Sequence, residues 1–299
     1  MPKIQLSSEI PLNIIELSVR DRRAIRAHYE RGWLIILKDI KISADFSFLE
    51  AVSPPSNSGR RRDKYVLTLA EHSQFDGTRE DHWRPFKDEI FAGNRQEFDR
   101  FQAEVRSVNS QFHWLADRIF KKYRFDRKRV TWKFQRNCNE NLHIDNIDGS
   151  NSKAQLRIFA NVATTPRVWG IGEHIRTYGR RYFASAELHR FVDDPFRFNN
   201  TLTMAAFGRS RDSVDEPRHV VEFAPGEIWM VNSAVTAHQV KSGNLLTIGS
   251  FEFPYDRYDR QSETLPSLIR EIQRSEMASA SLVSRPFQNL IRGMSFRGR

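Results

Sequence analysis

Two residue types that bind metals stand at a spacing geometry can use. In Asn141-Leu142-His143-Ile144-Asp145, an imidazole and a carboxylate lie two residues apart. On an extended strand, positions i and i+2 share a face. His143 and Asp145 therefore project together, while Leu142 and Ile144 turn into a core. A second imidazole from a neighbouring strand, His238, completes two nitrogens and one oxygen on one side of a metal. Such a facial set leaves positions open for a co-substrate and dioxygen on Fe(II). His-x-Asp alone is a weak motif, but the segment before His238 strengthens it. Ala224-Pro225-Gly226-Glu227 makes a Pro-Gly turn into the apolar run Ile228-Trp229-Met230-Val231, and His238 follows on the next strand. His219, before the turn, is the rival distal ligand.

The Pro225-Gly226 segment looks like the hairpin that precedes the distal iron histidine in double-stranded β-helix oxygenases, and in many of those enzymes an arginine soon after that histidine pairs with the far carboxylate of 2-oxoglutarate. Gly243-Asn244-Leu245-Leu246-Thr247-Ile248 contains none. A buried carboxylate without a partner is costly, so another cation must serve. Alternation in Leu156-Arg157-Ile158-Phe159-Ala160-Asn161 puts Arg157, Phe159 and Asn161 on one face. A guanidinium there can clamp a carboxylate through two parallel hydrogen bonds. Arg157 is the first choice, Arg167 the second and Lys241 the third. Asn161 and Trp169 complete the expected co-substrate contacts.

The elements that must hold these groups are legible as periodicities. Ser18 reads as the cap of a helix over 19–31 that Gly32 stops, followed by a strand over 33–40 and a short helix over 43–52. Pro54–Asp63 is a breaker-rich loop carrying Arg60-Arg61-Arg62, read as a solvated loop with an anion site as the alternative. Tyr65–Ala70 is a strand. Phe98, Phe101, Val105, Val108, Phe112, Leu115, Ile119 and Phe120 recur at helical steps and predict a long helix packed on a sheet. Strands dominate afterwards: 130–136, 142–145, 155–162, 220–223, 227–231, 237–240 and 245–253, with helices and loops over 174–210. Many short strands after a helical N-terminal third predict an α+β fold, a double-stranded β-helix (jelly roll, cupin-like) core with packed helices. The division expected is one catalytic domain over 1–264, its β-core at about 129–254, and a basic amphipathic segment over 265–299.

The chain has 299 residues, 28% of them charged, and a net charge of +10. That balance favours an anionic partner. No apolar run is long enough to span a bilayer, and no secretory leader is apparent. One cysteine, Cys138, excludes an intrachain disulfide and a cysteine-based zinc site. A cytoplasmic protein is expected.

At this point a resemblance is apparent. Arg129–Pro254 resembles the 3-deoxy-D-manno-octulosonic acid (Kdo) hydroxylases of Gram-negative lipopolysaccharide assembly. It does so through Leu142-His143-Ile144-Asp145, Leu156-Arg157-Ile158-Phe159-Ala160-Asn161 and Pro166-Arg167-Val168-Trp169 with Gly172-Glu173. Pro225-Gly226 followed by Ala237-His238-Gln239-Val240-Lys241-Ser242-Gly243 completes the match. The chain departs from that family after Asp145, in Asn146-Ile147-Asp148, and over 188–214. The resemblance implies an Fe(II)- and 2-oxoglutarate-dependent dioxygenase that uses O2 to hydroxylate C3 of a Kdo sugar on a lipid A precursor. It also implies His143, Asp145 and His238 as iron ligands, and an acidic, lipid-linked sugar as partner.

Two further readings stand beside it. One is the same iron core acting on a protein or nucleic acid; the other is a non-enzymatic, basic nucleic-acid-binding β-protein. Nucleic-acid binding calls for aromatics interleaved with basic residues on exposed faces, whereas here they recur mainly at core spacing, so no nucleic acid is expected. In the tail, Leu265, Leu268, Ile269 and Ile272 form one apolar helical face, and Val283, Phe287, Leu290, Ile291 and Met294 form another. After Glu276 the charges are Arg285, Arg292, Arg297 and Arg299. Such a stretch suits an anionic membrane surface, here the cytoplasmic face of the inner membrane; a helix packed on the protein or a disordered basic tail is the alternative.

Overall fold

The period-two patterns become strands, and the aromatic stripe becomes one long helix. The computed structural model describes residues 2–52, 64–70, 80–135, 138–147, 149–208 and 216–294, with side chains over all of these except 64–70, 80–82 and 280–294. The arginine run at 60–62 lies outside them. In chain order come β1 (Lys3–Gln5), β2 (Ile14–Leu17), α1 (Arg22–Glu30), β3 (Leu34–Leu37), α2 (Phe46–Ala51), β4 (Lys64–Ala70), α3 (Glu80–Pro85) and α4 (Arg95–Phe120). Then follow β5 (Arg127–Gln135), β6 (Lys153–Asn161), β7 (Arg167–His174), α5 (Ile175–Tyr182), α6 (Pro195–Phe207), β8 (His219–Phe223), β9 (Ile228–Met230), β10 (Thr236–Ser242), β11 (Leu246–Pro254) and α7 (Leu265–Met294).

The strands form a seven-stranded sheet, β2-β3-β9-β6-β11-β5-β4, and a four-stranded sheet, β1-β8-β7-β10. Between them lies a core fed by both: Phe159 and Trp229 from the larger sheet meet Trp169 and Phe223 from the smaller. The outer face of the larger sheet is covered by α4. All eight apolar residues of the stripe are buried, against β5 and β11. Asn94 caps α4 by accepting the Glu97 N–H at 3.1 Å, and Asn109 accepts the Trp132 indole N–H at 2.9 Å. Phe101 is fully buried, so Phe101→Ala would cost about 3–5 kcal/mol.

Some boundaries shift. Helix α1 starts at Arg22 behind Asp21, not at Val19: the Ser18 hydroxyl donates to Asp39 at 2.6 Å and accepts the Arg20 N–H at 3.1 Å, closing a turn ahead of the helix. Gly32 ends it as expected, at φ 76°. The segment expected as a strand over 142–145 is irregular, touching β10 through a single bridge between His143 and His238.

The first apolar face of the tail is not free. Leu265, Leu268, Ile269 and Ile272 are buried in a second core with α5 and α6. Gly179 on α5 permits this approach, since a Cβ there would lie 2.7 Å from Ile272 Cδ1. Arg176 on α5 ties Glu263 and Glu271 to the same contact. The structure therefore joins the start of the tail to the preceding residues. Side chains of the second face lie outside those described. Among the described residues, no helix is long and apolar enough to cross a membrane.

Candidate metal centre

His143 and His238 exchange both backbone hydrogen bonds, at 3.0 and 2.9 Å, and the Asp145 N–H donates to Ser233 O at 2.8 Å. Leu142 and Ile144 are each 1% exposed, inside the helical core. The parity read from the motif holds even without a regular strand, because these bonds keep the chain extended. The two imidazoles and the carboxylate converge. His143 Nε2 lies 3.5 Å from Asp145 Oδ1, and His238 Nε2 lies 4.0 Å from Oδ2. One ligand atom from each residue can be chosen so that all three lie within 4.8 Å of one another.

The far ring nitrogens are spoken for. His143 Nδ1 faces Asn141 O at 2.6 Å and His238 Nδ1 faces Thr236 O at 3.1 Å. A carbonyl only accepts, so each Nδ1 carries a proton and each Nε2 points inward. This is how backbone acceptors orient metal-binding histidines. The Trp169 ring stacks on His238, with centroids 5.4 Å apart.

The three groups set one another's charge. Burial, followed by the charge of His143, brings His238 down to about 4, leaving it neutral. For His143, burial is the largest effect and favours the neutral ring, but its hydrogen bond and charge interaction with Asp145 outweigh it and raise the value. Burial likewise opposes an ionised Asp145, yet Arg157 and the two imidazoles hold its carboxyl well below the usual range.

These groups line a cavity of about 280 Å³, with Lys133, Glu140, Arg157, Phe159, Trp169, Val240, Leu246 and Ile248. Arg157 projects from β6 and brings Nη2 to 3.6 Å from Asp145 Oδ2, while its buried Nε has no acceptor. Trp169 is in the wall. Arg167 is fully buried but is not a lining residue: Nη2 donates to Asn244 O at 2.7 Å, Nε and Nη1 have no acceptor, and Gly243 lies against the guanidinium. Asn161 is not brought to the cavity. Its amide donates to Thr165 O and Phe223 O and accepts the Ala163 N–H, holding the turn after β6. Lys241 is exposed. His219 Nδ1 accepts the Ser7 N–H at 3.0 Å, so its Nε2 carries the proton toward Pro11 O at 3.1 Å. Both of its nitrogens tie down the N-terminal segment, not the metal cluster.

Lys133 and Glu140, 3.2 Å apart in the cavity wall, were not anticipated. Val130, Trp132 and Phe134 of β5 are buried in the core with α4, and Lys133 alternates to the other face. A polar face reads as solvent-facing until a second sheet is known to stand opposite.

No family model matches this sequence, and no curated protein matches it. Solved structures do. The Kdo hydroxylase KdoO, a non-heme Fe(II) alphaketoglutarate dependent dioxygenase in complex with cobalt(II), matches with a TM-score of 0.58 and 15% identity, over 88% of this chain and 96% of that one. The same enzyme with alphaketoglutarate and Fe(III) gives a TM-score of 0.56 and 15% identity, over 87% and 96%. The chain has the fold of that dioxygenase. The resemblance read from short segments between residues 129 and 254 is thereby met by a likeness of fold over 88% of the chain.

Proposed function

We propose that this protein is a non-haem Fe(II)- and 2-oxoglutarate-dependent dioxygenase, built on a double-stranded β-helix, that hydroxylates a Kdo sugar at C3 on a lipid A precursor. The observation that carries this reading is the inward convergence of two imidazole nitrogens and one carboxylate inside a cavity walled by both sheets. Two nitrogens and an oxygen suit Fe(II) and leave positions for further ligands. The buried donors without acceptors on residues that line the cavity, Arg157 Nε and Trp169 Nε1, fit a site that takes an anion. When bound, Fe(II) with 2-oxoglutarate supplies oxidising power by coupling decarboxylation to succinate with insertion of one oxygen atom from O2.

His143, Asp145 and His238 hold the metal. Arg157, the arginine that lines the cavity, is the anchor for a co-substrate carboxylate; Arg167, deeper in the fold, is the rival. Trp169 keeps the His238 ring in place. The net charge of +10 and the substrate in the name of the similar enzyme both support an acidic sugar. The decisive experiment incubates Kdo-bearing lipid A with protein, Fe(II) and 2-oxoglutarate. The expected product is heavier by one oxygen and appears with succinate. Succinate without oxidised lipid would retain the dioxygenase and discard the sugar, leaving protein or nucleic-acid substrates to be tried. Neither product from metal-loaded protein would overturn both.

A further inference from the structure

Arg157 is reached through the edge of β6, and that edge has an unusual partner. Strand β9 pairs with β6 only at Ile158, Phe159 and Ala160, through Met230, Trp229 and Ile228. It ends there, while β6 continues to Lys153. On an antiparallel edge the backbone groups of alternate residues face the same neighbour. The N–H of Arg157 and the C=O of Gln155 therefore point to where β9 has run out. The hydroxyl of Tyr29 occupies that place, accepting the Arg157 N–H at 3.0 Å and donating to Gln155 O at 2.8 Å. One side chain replaces one rung of the sheet.

Tyr29 is fixed independently of β6. It is fully buried in the last turn of α1, with its ring edge-on to Phe120 at 5.5 Å. The next residue, Glu30, accepts the Tyr123 hydroxyl at 2.8 Å and the N–H groups of Asp259 and Arg260 at 2.8 and 2.9 Å. Gly32 O accepts the hydroxyl of Thr236, whose own carbonyl orients His238. Packing alone would be served by phenylalanine; a buried hydroxyl is tolerated only where its bonds are made.

We propose that Tyr29 is a positioning residue for Arg157. Its hydroxyl sets the β6 backbone at the point from which the guanidinium reaches Asp145 and the co-substrate. This rests on the reading of Arg157 as the carboxylate anchor. The test is the equilibrium affinity of Co(II)-loaded protein for 2-oxoglutarate in wild type, Tyr29→Phe, Arg157→Leu and the double variant. Tyr29→Phe should weaken 2-oxoglutarate binding about three- to tenfold, the range of one neutral hydrogen bond, with Co(II) affinity unchanged. On the Arg157→Leu background it should have no further effect, because residues acting through one contact are not additive. A fall in melting temperature with unchanged 2-oxoglutarate affinity, or an equal loss on both backgrounds, would make Tyr29 merely structural. If Arg157→Leu itself leaves affinity intact, the anchor reading falls and this proposal with it. Should Tyr29→Phe fail to fold, hydrogen exchange of the wild type decides. 2-Oxoglutarate should slow exchange in residues 22–32, and unchanged exchange there overturns the proposal.

Discussion

His219 and His238 occupy matching places. Both pair with Ile171 of β7, one from β8 and the other from β10, and both are buried. Their roles diverge because of what meets their second nitrogen. For His219 both ring nitrogens are used by Ser7 and Pro11, so no lone pair remains. For His238 the backbone takes Nδ1 alone, and Nε2 is left facing Asp145 and His143. Position on a sheet thus makes a histidine available for metal chemistry, and the hydrogen-bond inventory decides whether it can perform any.

The largest effect that tests this contrast is expected at the cluster. Asp145→Ala or His238→Ala should lower Co(II) affinity by more than about a hundredfold, beyond the loss typical of supporting residues around a metal. Calorimetric titration measures it, and an unchanged far-ultraviolet dichroism spectrum shows the fold intact. Retained binding in His238→Ala would erase the distinction between the two histidines. Next comes Arg157→Leu, expected to weaken 2-oxoglutarate binding by roughly 2–3 kcal/mol, the scale of a charged hydrogen bond. An equal loss from Arg167→Leu alone would move the anchor. His219→Ala should cost about 1–2 kcal/mol of stability from two neutral hydrogen bonds, read by denaturant unfolding, while Co(II) affinity stays within twofold. The smallest effect is Thr236→Val, which removes the hydroxyl bond to Gly32 but keeps the carbonyl facing His238. It should cost about 1 kcal/mol of stability, with metal affinity unchanged.

The sequence disclosed what depends on local period. Leu142 and Ile144 inward with His143 and Asp145 opposite follow from alternation, and the buried face of α4 follows from its three- and four-residue steps. What it concealed depends on partners distant in the chain. Ser18 reads as a cap, and only the positions of Asp21 and Asp39 show that its N–H and hydroxyl are held in a turn ahead of the helix. Asn161 shares a face with Arg157, but the turn at Thr165 and the end of β8 claim its amide. The apolar face at Leu265 reads equally as a membrane face or a packing face until α5 and α6 are seen beneath it. Lys133 became a cavity residue only when the second sheet closed over it.

The single bridge at His143 has a consequence for how such a protein can change. Cys138, Glu140, His143 and Asp145 reach β10 or the loops on either side of it through separate backbone bonds. Beyond Asp145, the bonds of Ser150, Ser152 and Lys153 return to Ile147 and Gly149, with Gly149 at φ 82°. The turn closes largely on itself and adds no rung to either sheet. Ser150 O accepts the Tyr255 hydroxyl at 2.6 Å and Asn151 Oδ1 accepts the Phe196 N–H at 3.0 Å. Apart from those anchors its residues can be rewritten, by drift or by a designer grafting a new loop, without asking either sheet to re-register. Loop and scaffold are, at this corner, separately inheritable.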